Sequence, residues 1–307
     1  MPLFVRTPLL LGAAVLVVSL AACDETGGAS GGSVQEQLRD ARLARQAGRY
    51  DDALRLLADA HAQDPQSAPV RVEYSLTLLE ERRIDLLDLD RVARFLTRTL
   101  ARPEGKGSAR PAGPFPVGFC PYAADPTAQA FDPTDFEGFD EIRASRDVLE
   151  QALELLAPVM PAAFQTAEAC TSVVRASDGS AVLAYDATAA RAELRARGLT
   201  DSEISAALAT SALARFLRAY LTLTDDLPPQ TTWYRLSGGS SVGVCSDDPL
   251  AVVPIANTAV RDIGDALFSI DLRAETSGRT STSRDLIELV VESYEEVRDG
   301  IARACTP

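Results

Sequence analysis

The chain has 307 residues, a formal net charge of −14 and a single lysine, Lys106, so arginine carries nearly all of its positive charge. No basic patch offsets that acidity, which excludes nucleic acid as a partner and argues against binding anionic headgroups through protein charge. The apolar share of 46% is ample for a core, and the length suits one large or two ordinary domains. An acidic, lysine-poor balance fits a GC-rich codon bias first, and a salt-adapted proteome as the alternative.

In chain order, the first element is a short start ending in Arg6, followed by the uncharged apolar run Leu9 to Leu20. Twelve residues rise about 18 Å as a helix, short of a ~30 Å hydrocarbon core. The run therefore predicts the hydrophobic region of a secretory signal and not a membrane span. It ends Leu20-Ala21-Ala22-Cys23, and this LAAC resembles the lipobox of bacterial lipoproteins. The resemblance implies cleavage after residue 22, lipidation of Cys23 by diacylglycerol and palmitate-type chains, and a folded part facing the periplasm. Two acyl chains hold a protein on a bilayer stably where one holds it marginally. Asp24 resembles the inner-membrane retention signal of enterobacteria, a rule other lineages do not follow reliably, so both membranes stay open. Residues 1–22 thus read as a signal peptide and 23–33 as a flexible Gly/Ser tether.

Ser33-Val34-Gln35-Glu36 is a capping-box pattern that opens a helix carrying Leu38, Ala41 and Ala44 on one face. Gly48 breaks it. A second helix runs from Asp51 to Ala62 and stops at Asp64-Pro65, since the residue before proline is pushed out of the helical region. Ala41, Gly48, Tyr50, Ala53, Ala60 and Pro65 fall at the offsets of a tetratricopeptide repeat (TPR), which this helix–turn–helix resembles. Gln37 and Asp40 stand where that family prefers Trp and Leu, as a terminal repeat tolerates. A degenerate second unit follows, with helices over Ala68 to Glu81 and Leu86 to Leu100, giving TPR-like sequence over 34–101. The resemblance implies a concave peptide groove, to which Arg42 and Arg45 are candidate contacts through a partner's carboxylate. A solvated charged face is the plainer reading of the pair. His61 falls at a variable, exposed position.

Residues 102–135 are broken by many Pro and Gly and predict a long loop holding Cys120. From 136 to 307 the pattern returns to helices: Glu141 to Leu156, Ala162 to Val174 with Cys170, Thr188 to Arg197, Thr200 to about Leu223, Leu250 to Arg273 and Arg284 to Ala304. Ser180 to Tyr185 suits a short strand. Thr231 to Cys245 suits a small hairpin turning at Gly238-Gly239. The fold class is mostly α. Antiparallel helix pairs form a short TPR-like α-solenoid that merges into a larger helical domain with at most one small β-hairpin.

With Cys23 lipidated, Cys120, Cys170, Cys245 and Cys305 remain, an even set that favours two disulfides in an exported chain. Three connectivities are open; Cys120–Cys170 with Cys245–Cys305 is preferred as the sequential one. No metal site is expected, because no CxxC spacing occurs and His61 is the sole histidine. Gly239-Ser-Ser241-Val-Gly243 matches G-x-S-x-G, but Ser241 has no histidine near it and no helix directly after it, so chance explains the match. Lys106 lies in the Pro/Gly loop, where no burial depresses its pKa. Glu295-Glu296 and Asp225-Asp226 read as solvated faces and turns.

No cofactor and no enzyme activity are expected. The first reading is a membrane-anchored envelope lipoprotein presenting a helical-repeat surface to another envelope protein as scaffold or adaptor. The second is a small-ligand-binding accessory lipoprotein of a transporter, with a cavity near Trp233 and Tyr234. The third is a carboxylate-dependent cell-wall enzyme.

Overall fold

The computed structural model describes residues 32–85, 128–162, 173–175, 181–183, 186–235, 242–246 and 248–277. Helix α1 (Val34–Gln46) begins on a closed capping box: Glu36 N–H donates to Ser33 Oγ, and the Glu36 carboxylate accepts from Ser33 N–H. Satisfying two free donors locally fixes the helix start before any tertiary contact forms. Gly48 then takes φ +73°, a left-handed turn that a side chain would strain. Helix α2 (Tyr50–Gln63) folds back on α1, and α3 (Ala68–Glu81) packs on α2. Leu38, Ala41, Leu57, Ala60 and Val70 form their common core. Ala41, Ala53 and Ala60 are fully buried, and their small size lets the helices approach closely.

Beyond the repeat come α4 (Phe139–Ala144), α5 (Arg146–Leu156), α6 (Ala187–Ala196), α7 (Asp201–Asp225) and α8 (Pro249–Ser277). One core cluster joins Ala68 and Val72 of α3 to Leu156 of α5, Ile204 and Leu208 of α7 and Phe268 and Leu272 of α8. A second joins Leu79 to Leu149, Leu153, Leu213 and Leu217. The order of these contacts sets α5 antiparallel to both α3 and α7, and α8 antiparallel to α7. Helix α7 is the central element. It too starts on a closed capping box, Thr200 with Glu203, and Tyr220 near its end packs edge-on against Phe136 and Phe139.

The fold is mostly helical, built of antiparallel helix pairs with a small sheet, as the periodicity indicates. Several details differ. The single helix expected over Glu141 to Leu156 divides at Ser145, whose hydroxyl donates to the Glu141 carbonyl at 2.9 Å and competes with the helical ladder. The helix expected over Ala162 to Val174 does not reach its end. Residues Val173–Arg175 form strand β2, paired antiparallel with β3 (Ala181–Leu183), as the β-branched Val173-Val174 pair favours.

The expected hairpin exists as β4 (Thr232–Arg235) and β5 (Val242–Cys245), but it is part of a three-stranded sheet. Strand β1 (Gln129–Phe131), from the tail of the expected loop, pairs with β4 and sets Phe131 opposite Trp233. The helices expected over Leu86 to Leu100 and Arg284 to Ala304 lie outside the described residues, as does most of 102–135.

Candidate functional site

The repeat is where a functional surface is best defined. Arg42 and Arg45 stand three residues apart on α1, so both guanidiniums leave the same side of the helix. That side faces α3, where Glu73 and Glu80 are two turns apart. Glu73 is almost fully buried and accepts from Arg42 Nε at 3.2 Å and Arg45 Nε at 2.6 Å. Glu80 takes the other end of Arg45 at 2.8 and 3.0 Å. Burial alone would lower the Arg45 pKa, but the Glu80 and Glu73 carboxylates hold it above the usual guanidinium value.

A third carboxylate comes from outside the repeat. Glu203, in the first turn of α7, pairs with the remaining end of Arg42 through Oε1. Its other oxygen accepts from Thr200 N–H at 2.8 Å and closes the α7 capping box. Burial alone would raise the Glu203 pKa; hydrogen bonds from Thr200 and Arg42 outweigh it and hold the carboxyl below its usual range. One side chain thus fixes the start of α7 and ties that start to α1. The two arginines offered by the sequence to a partner's carboxylate are held instead by three carboxylates of the chain itself.

Gln37, at the position where the family resemblance calls for Trp, is buried and accepts from Gln63 Nε2 at 3.1 Å. A polar residue is tolerated there because its amide is paired. His61 is half-buried and not exposed as expected. It meets the edge of Tyr74 with ring centroids 6.3 Å apart. Burial, with Arg71 nearby, pushes its pKa down. Its Nδ1 has no hydrogen-bond partner among the described residues.

Away from the buried Leu38, Ala41 and Ala44, α1 leaves Gln35, Arg39, Leu43 and Gln46 exposed at helical spacing, beside Arg42. Leu43 is 57% exposed, one of two large apolar side chains so exposed among the described residues.

Other singled-out positions fall elsewhere in the fold. Gly243, the last residue of the G-x-S-x-G match, lies in β5 opposite Tyr234. Asp225 and Asp226 are not simply solvated: they pair with Arg143 and Arg146 and tie the end of α7 to α4 and α5. Tyr234 is buried with Cys245, Ala128 and Ala130, and Trp233 lies on Phe131. Cys23, Cys120, Cys170, Cys305, Lys106, Ser241 and Glu295-Glu296 lie outside the described residues.

The carboxylates that occupy Arg42 and Arg45 were missed in the sequence. A signal existed for one of them. Glu73 lies among the closely spaced apolar residues Val70, Val72, Leu76 and Leu78 of α3, and a charge buried among such residues calls for a counter-charge.

Comparison with known proteins agrees with the local reading. The tetratricopeptide repeat family matches residues 44–85, which run from the end of α1 through α2 and α3. No curated protein and no solved structure matches the chain.

Proposed function

We propose that this chain is a non-enzymatic, lipid-anchored cell-envelope protein that presents its helical repeat to another envelope protein. The observation that carries the reading is the repeat at 44–85, a unit whose usual work is protein recognition, standing as a formed helix pair with α3 stacked on it. The anchor rests on the LAAC sequence ending at Cys23 and on the Gly/Ser tether after it. Cys245 is disulfide-bonded, which supports an oxidising compartment and therefore export.

Arg42 and Arg45 serve this function by holding α1 on α3 and on the start of α7. Contact with a partner falls to the open stripe of α1 around Leu43. In a repeat array each such face is covered by a neighbouring helix, so the partner offers a helix with an apolar ridge.

Two linked measurements test the reading. Cys23→Ser moves the protein from the membrane to the soluble fraction and abolishes incorporation of labelled palmitate; unchanged fractionation and labelling overturn the anchor. Tagged wild type retains a defined envelope protein that Leu43→Asp loses at unchanged stability; equal retention by both overturns the binding face.

A further inference from the structure

The longest helix pair in the described chain, α7 with α8, does not meet through apolar side chains alone. A polar seam runs along it. Arg273 Nε donates to Ser205 Oγ at 3.1 Å, and one turn on Ser269 Oγ lies 3.3 Å from Ser211 Oγ. Further on, Asp265 and Asp262 of α8 face Arg215 and Arg218 of α7. The two aspartates are three residues apart, so they project from one face of α8. Their side chains are only 6% and 2% exposed.

The two carboxylates are served unequally. Asp262 accepts from both arginines: Arg218 Nε at 2.7 Å, Arg218 Nη2, and Arg215 Nη1 at 3.1 Å. Among the described residues Asp265 pairs with Arg215 Nη1 alone, which it shares with Asp262. Its second oxygen is buried without a hydrogen-bond partner among the described residues, and so is Arg215 Nε. Ser269, four residues further along α8, donates to the Asp265 backbone carbonyl and not to its carboxylate.

The charged groups acting on Asp265 are Arg215 and Arg218 from α7 and Asp262 and Arg261 from α8. Glu150 of α5 acts on Arg218. An ionised Asp265 has therefore lost its water, kept half of one guanidinium nitrogen and gained a second anion beside it. A buried charge so poorly compensated favours its neutral form.

We infer that the α7–α8 seam is a pH-sensitive latch, in which Asp265 binds a proton from solvent when the helices close and returns it when they part. The proton sits on the unpartnered oxygen, and the other oxygen keeps its bond to Arg215. Burial places the carboxyl at about 6, against an ordinary value of 3.8. A raised value means that the closed seam holds the proton more tightly than the open one. Closure is therefore fully favoured below the ordinary value and weakens as pH rises through 6. The latch does not depend on the partner or the anchor. It would let the surroundings loosen α8 while α7 stays seated on the repeat through Ile204 and Leu208.

The test uses the full-length protein and two readouts. Hydrogen exchange on α8 amides, corrected for the intrinsic rate, gives the opening constant of the seam. From pH 5 to 7.5 it rises about tenfold in wild type and does not rise in Asp265→Asn. Should that variant fail to fold, the wild type decides alone through carboxyl ¹³C resonances assigned by their own backbone. Asp265 then titrates near 6. An opening constant equal at both pH values, or an Asp265 carboxyl titrating below about 4.5, overturns the inference.

Discussion

Replacing Glu73 with alanine is the perturbation that tests most sharply how the repeat is held. The side chain is 7% exposed and accepts from Arg42 Nε at 3.2 Å and Arg45 Nε at 2.6 Å. Removing one partner of a buried ion pair commonly costs about 3–5 kcal/mol, because the remaining charge stays buried and uncompensated. Here each arginine keeps another carboxylate, Glu203 for Arg42 and Glu80 for Arg45. Arg42 is also partly open to water. The loss should fall at the lower end, near 3 kcal/mol, which lowers the melting temperature by roughly 6–12 °C in a chain of this size. Urea unfolding of Glu73→Ala, Arg45→Ala and the double variant measures both the cost and the coupling. The pair should couple by at least about 1 kcal/mol, since the two side chains share one network. A single-variant cost below about 0.5 kcal/mol, with additive singles, would refute the account of α1 as ion-locked to α3.

Three further outcomes follow from the same structure. Leu149, fully buried between α3 and α7, should cost about 3 kcal/mol as alanine, read by urea unfolding; a loss below 1 kcal/mol, on the order of a surface change, would place it outside the core. Gly48→Ala meets no atom within 4 Å of the new Cβ, yet φ +73° should still cost about 1 kcal/mol, read by thermal unfolding; no change would deny the left-handed turn. Glu203 has a lowered pKa, so its stabilisation is present above the ordinary carboxylate range and lost as pH falls through the lowered value. Acid unfolding of wild type should therefore be steeper below about pH 4.5 than that of Glu203→Gln, and parallel curves would remove the Arg42 tie.

The local features were legible because their causes are local. Ser33 with Glu36 and Thr200 with Glu203 are read from a four-residue pattern, and both boxes are closed in the structure. Gly48 marks its turn because only glycine takes that φ without strain. The bounds of α3 follow from Pro69 in its first turn and the end of its apolar pattern.

What sequence did not supply is long-range. Arg42 is 161 residues from Glu203, and Arg45 is 28 and 35 residues from Glu73 and Glu80. In a chain this rich in acids no spacing singles out those three. Strand β1 is three residues long and takes its pairing from Trp233 and its neighbours, about a hundred positions later. The Asp262 and Asp265 pair was open to the i, i+3 rule, but its burial depends on α7 arriving with Arg215 and Arg218. Arg42 and Arg45, the candidate groove contacts, lie together on one side of α1. The carboxylates that meet them belong to the chain.

The central claim is that the repeat's open face meets a protein partner at the membrane. The most direct measurement places a photocrosslinking residue at Leu43, and as a control at Arg55 on α2, in the full-length protein in its native envelope. The account predicts one discrete product from position 43, of the same partner each time, and none from position 55. No product from position 43, or the same products from both positions, would contradict it.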